Sequence, residues 1–118
     1  MLMRKTLLFL LICSALDCFP QINCPSMTDA DGNKYSTIVI GNQCWTAENM
    51  RATHDRFGDF VIVGNRESEY FPYRYIPNES ETLVYELGYL YNWPAALKIC
   101  PNGWHLPKDD EWLQLRSY

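Results

Sequence analysis

Three groups of side chains in this sequence have types and spacings that could do chemistry. Asp29, Asp31 and Asn33 alternate along the chain, as the first ligands of a calcium loop do. An EF-hand loop also needs glycine at its sixth position and glutamate at its twelfth, where Lys34 and Ile40 stand. The segment therefore reads as a turn, because Asp31-Gly32-Asn33 tolerates positive φ at low cost. Asp109, Asp110 and Glu111 crowd the start of a helix, where the helix dipole favours acids without any cation. Glu111, next to Trp112, is expected to be partly buried and to accept hydrogen bonds from backbone or indole N–H groups. His54, among Thr53, Asp55 and Arg56, is expected to be exposed. His105, between Trp104 and Leu106, is expected to be packed. There is no GxSxG, no phosphate-cradling glycine loop and no HExxH. No catalytic residue, metal ligand or cofactor is assigned, and the chain is not expected to be an enzyme.

The third group is aromatic. The chain holds 4 Trp, 8 Tyr and 5 Phe, and Tyr70, Phe71, Tyr73 and Tyr75 fall close to Arg74 in a run punctuated by Pro72 and Pro77. The prolines make this run extended rather than helical. Its rings could form a ligand platform by stacking on a sugar face. The plainer expectation is that they cover an aromatic core.

Five cysteines and a net charge of −4 constrain the setting. An acidic chain is a poor electrostatic match for nucleic acid or anionic lipid. Arg4 and Lys5 precede an apolar run from Leu7 to Leu16, closed by Asp17. That run is too short to span a membrane, which takes about 20 apolar residues. With Ser14-Ala15 at its end it reads as a secretory signal over residues 1–15, so the domain is expected to be exported, either secreted or on the cell surface. Cys18 is the better of two poor candidates for a lipid anchor, which would make the chain an outer-membrane lipoprotein. Export permits disulfides, and Cys18, Cys24, Cys44 and Cys100 allow three pairings. Their spacing contains no CxxC, which argues against zinc.

The elements that must position these groups are short. After a cysteine-containing lead (16–26), a single domain is expected over 27–118. Tyr35–Ile40 is rich in β-branched and aromatic residues, Gly41-Asn42 is a turn, and Gln43-Cys44-Trp45 begins the returning strand. Phe60–Val63 reads as a strand ending at Gly64-Asn65. Tyr89–Tyr91 leads into a helix capped by Asn92 with Pro94 in its first turn. Trp93, Ala96, Leu97 and Cys100 recur at helical spacing and would form its buried face. Trp104–Leu106 reads as a short strand, and a second helix starts near Lys108, with Trp112 and Leu115 on its apolar side. The fold class is α+β: short antiparallel strands, two helices and much loop.

Four ordered segments carry a family resemblance. They are Asp29-x-Asp31-Gly32-Asn33-x-Tyr35, Ile40-Gly41-Asn42-Gln43-x-Trp45 with Ala47-Glu48-Asn49-Met50, Gly88–Ala96, and Cys100–Pro107 followed by Asp110-Glu111-Trp112. Together they resemble the Fibrobacter succinogenes major paralogous domain over residues 27–118. Thr46 and Met50 depart from its usual methionine and leucine. The resemblance implies a C-type-lectin-like fold in which Trp45, Trp93, Cys100, Gly103, Trp104, Glu111 and Trp112 are structural. It also implies a module of a bacterial cell envelope used for display or interaction, with a glycan or another surface protein as partner. Leu106-Pro107 with Glu111-Trp112 is similar, too, to the helix start of formylglycine-generating enzymes. In both groups the working sites lie in the later half of the domain. The chain is therefore expected to be the N-terminal part of such a domain, with Cys100 separated from its usual partner.

Overall fold

The computed structural model describes residues 22–118. The expected signal segment, Cys13 and the Cys18 anchor lie outside them. Two short strands, β1 (Met27–Thr28) and β2 (Lys34–Tyr35), pair antiparallel across the Asp29–Asn33 turn. Next come β3 (Thr37–Ile40) and β4 (Gln43–Thr46), an antiparallel hairpin closed by Gly41-Asn42 in the register Ile38↔Trp45 and Ile40↔Gln43. The expected run Tyr35–Ile40 is interrupted at Ser36, whose backbone N–H turns aside to the Glu48 carboxylate at 2.7 Å. Three strands form the remaining sheet, in the order β5 (Ile62–Val63), β6 (Tyr73–Tyr75), β7 (Leu90–Tyr91). β5 runs parallel and β7 antiparallel to the central β6.

Helical structure comprises two 3-10 turns (Pro77–Glu79 and Glu81–Leu83) leading into α1 (Val84–Leu87), then α2 (Trp93–Ile99) and α3 (Asp109–Arg116). The turns and α1 are not legible in the sequence, which has no helical period there. The expected strand at Trp104–Leu106 is absent; this stretch is extended chain without a ladder partner.

The core is small and aliphatic, not aromatic. Ala52, Val61, Ala95 and Ile99 are buried together, flanked by Met50, Tyr91 and Cys100. Among the described aromatics only Tyr35 is buried. The buried face of α2 is also one position from the expected one. Ala95 and Ile99 point inward, while Trp93 is 67% exposed and Leu97 48%. The reason is local: Asn92 caps the helix and ties it to β6, so the start of the helix is oriented by the cap and not by its largest apolar residue.

Candidate functional site

Asn92 is the organising residue of the aromatic segment. Its Oδ1 accepts the N–H of Ala95, as an N-cap should, and also the N–H of Tyr73 at 2.8 Å. Its Nδ2 donates to the carbonyls of Ser68 (2.9 Å) and Phe71 (2.7 Å). The Ser68 hydroxyl in turn accepts the N–H groups of Tyr70 and Phe71. The turn before β6 is thus held at several backbone points, yet it presents Tyr70 84% exposed and Phe71 66% exposed. The four expected platform residues divide here. Tyr73 and Tyr75 share one face of β6, half-buried, and both lie against the position of Gly64, where a Cβ would meet their side chains at 2.8 Å. Arg74, on the other face, is buried: it donates to the Val61 carbonyl and lies 4.9 Å from both the Phe60 and Tyr89 ring centroids. Trp93, next to Asn92 and equally bare, is the exposed ring that the helical spacing misassigned.

A second feature is a cleft of about 630 Å³ between the β3–β4 hairpin, the end of α2 and the extended chain at 103–107. Met27, Met50, Leu90, Ile99, Trp104 and Leu106 give it an apolar lining. The hairpin is anchored to α3 across it. Gln43 Nε2 donates to the Glu111 carbonyl and to Gln114 Oε1, both at 3.2 Å, and Gln114 donates to Asn42. The Trp45 and Trp112 rings meet at 4.9 Å between centroids, a contact worth about 0.5–1.5 kcal/mol beyond burial.

The acidic groups fall into place as turn and cap residues. Asp29 is buried and accepts the N–H groups of Asp31 and Asn33, the Asn33 amide and the Tyr35 hydroxyl, so its lone pairs serve the turn. Burial, with Asp29 beside it, pushes the Tyr35 phenol far above its ordinary value. Asp31 reaches across to Thr53 and His54, accepting from the Thr53 N–H and hydroxyl and meeting His54 Nδ1. His54 is half-exposed and packs edge-on against Phe60, 5.2 Å between centroids. Glu111 accepts the Lys108 N–H at 2.8 Å, the acidic half of a capping box, and both its oxygens face His105 Nε2 at 2.8 and 2.9 Å. Of the donors expected for Glu111, the backbone is present and the indole is not. His105, expected to be packed, has a side chain 62% exposed, because it stands at the rim of the cleft with its ring on Glu111 of α3. Among the described residues no group of three or more His, Cys, Asp or Glu is placed to hold a metal ion.

Among the described residues, Cys24 and Cys44 form a disulfide, while Cys18 of the open pairings lies outside them. Cys100 is a free thiol, half-buried beside the cleft, and burial raises its pKa against a smaller opposing pull from Arg56.

Residues 38–118 match the family described as Fibrobacter succinogenes major domain. The chain belongs to this family. No curated protein and no solved structure matches it. Within the Fibrobacter succinogenes major domain of this chain, the motif residues serve the scaffold described above. Trp45 and Trp112 join the hairpin to α3. Gly103 turns at φ +88° after α2, and Trp104 lines the cleft. The β1–β2 turn at 29–33 precedes the matched region, although its Asp31 side chain contacts Thr53 and His54 well inside it.

Proposed function

We propose that the chain is an exported, non-enzymatic interaction module with C-type-lectin-like topology, and that it meets a glycan at the turn carrying Tyr70 and Phe71. The observation that supports this reading is the combination of exposure and fixation. Two large rings stand almost bare on a turn whose backbone is held by Asn92 and Ser68. A turn whose backbone is already held loses little backbone entropy on binding, so stacking on the C–H face of a sugar is not offset by ordering the loop. The Cys24–Cys44 disulfide supports the exported setting, since such bonds persist in oxidising compartments.

Glycan-array binding by the intact chain tests the glycan part. Defined spots should appear for the wild-type chain and vanish in Tyr70→Ala/Phe71→Ala, whose side chains make no part of the core. An array on which the wild-type chain is flat would overturn the glycan reading. Fractionation of the native host tests export: recovery of the chain in the cytosolic fraction would overturn it.

A further inference from the structure

A second, smaller pocket of about 360 Å³ adjoins the apolar cleft, and the two share Cys100, His105, Leu106 and Glu111 in their walls. Their linings differ in character. The larger part is mainly hydrocarbon and aromatic, and its volume falls within the range of about 300–1,000 Å³ usual for small-molecule sites. The smaller part is lined by Arg56 and Lys108, and neither makes an ion pair with a described carboxylate. The pocket's one acid, Glu111, is already occupied by His105 and the Lys108 backbone. Two cations without a direct ion pair therefore stand beside an apolar cavity in a chain whose net charge is −4. The backbone at Arg56 is anchored, because its main-chain N–H donates to the Lys98 carbonyl at 3.1 Å, and the guanidinium lies 5.1 Å from the Phe57 ring centroid.

We propose that these adjoining cavities bind a soluble apolar molecule carrying a single carboxylate. The hydrocarbon lies between Met50, Ile99 and Leu106, and the carboxylate lies at Arg56 and Lys108. A guanidinium fork matches a carboxylate in geometry as well as charge, so the site selects an anion over a neutral or cationic molecule of the same length. The inference does not depend on the aromatic turn, which is a separate surface.

Dodecanoate is a suitable probe, titrated into the 118-residue chain below its micelle concentration and followed by tryptophan fluorescence, since Trp45 and Trp104 line the cleft. Peptide-mapped alkylation of Cys100 by iodoacetamide gives a second readout. Saturable binding is expected, with Cys100 protected from alkylation and dodecanol bound on the order of tenfold more weakly. Arg56→Gln/Lys108→Gln, at two exposed positions, should remove the preference for dodecanoate over dodecanol while leaving the circular dichroism and melting curve unchanged. If the double variant unfolds, Lys108→Gln alone should still narrow the preference. Equal binding of the acid and the alcohol by the wild-type chain would overturn the proposal, as would an unaltered preference in the variants. Absence of saturable binding would overturn it too, leaving the cleft to a polypeptide segment. A dimer in sedimentation velocity that dodecanoate does not dissociate would overturn it in favour of a second copy.

Discussion

Asp31 and His54 join two separate hairpins, β1–β2 and a second one in which His54 bridges Phe60 across the turn at 55–59. The carboxylate of one turn accepts from the backbone and hydroxyl of Thr53 and meets the ring of His54 in the strand entering the next. Burial alone would raise the Asp31 carboxyl, but the Thr53 N–H, the His54 ring and the Thr53 hydroxyl together hold it below its ordinary value of 3.8. A carboxyl depressed in the folded state contributes stability that is complete above its unfolded pKa and lost as pH falls through the folded one. Melting temperature should therefore fall as the pH drops below about 4. Asp31→Asn should melt lower than the wild type at pH 6 and show a shallower acid limb. Parallel acid limbs for the two proteins would show that Asp31 does not couple the hairpins.

Asn92→Ala removes a helix cap together with three bonds to the chain around β6. A cap alone is worth about 1 kcal/mol and each further bond about 1 kcal/mol, so a loss of about 2–4 kcal/mol is expected in urea denaturation. Asn92→Asp keeps the acceptor for Ala95 and Tyr73 but loses the donors to Ser68 and Phe71, and should fall between the two. Equal losses for Asn92→Asp and Asn92→Ala would show that the two bonds accepted by Oδ1 contribute little.

Gly88 and Gly32 provide a contrast at equal residue type. Gly88 has φ 70° and ψ −175°, a region open essentially to glycine alone, and a Cβ there would meet the Met50 carbonyl oxygen at 2.5 Å. Gly32, at φ +82°, faces open space. Gly88→Ala should cost about 3 kcal/mol or more, against about 1 kcal/mol for Gly32→Ala. Equal melting temperatures for the two variants would contradict the packing of α1 against residues 49–50.

Reduction of Cys24–Cys44 releases a tie across a sequence separation of 20 residues, worth about 3 kcal/mol in the chain-entropy account. Cys24→Ser/Cys44→Ser should melt well below the wild type under non-reducing conditions and at the same temperature once reductant is present. Cys100→Ser, which keeps this disulfide, should melt with the wild type under both conditions.

What the sequence reveals depends on whether its signal is local. Gly41-Asn42 announces the β3–β4 hairpin, Asn92 announces the cap of α2, and the residues from Asp29 to Asn33 announce their turn, because each is decided within a few residues. The α2 register was not legible, since periodicity favours Trp93 and Leu97 while the contact selects Ala95 and Ile99, the side chains that let the helix approach Val61 and Ala52. His105 was misjudged for a related reason: its neighbours are apolar, but its partner Glu111 lies on the next element. The Asp31–His54 contact and the pairing of Arg56 with the pocket beside Cys100 depend on topology that no local spacing contains. Nor does proline-bounded spacing distinguish the bare rings at 70–71 from the half-buried ones at 73 and 75.

The Asp29–Asn33 turn also has a twin. Asp55–Asp59 repeats it 26 positions later: the aspartate accepts from the residues two and four ahead, its N–H donates to the fifth residue's carbonyl, and a glycine at φ +89° answers the one at +82°. Each loop carries its own acceptor and its own glycine, so the backbone of each is held chiefly from within, while Asp31 and Arg56 add the ties to Thr53, His54 and Lys98. Ala30 in the first loop and Phe57 in the second are free to vary while the framing aspartate and glycine stay constant. The domain thus carries two self-contained sockets of one design, where new side chains can be exchanged through mutation, or grafted deliberately, without renegotiating the core.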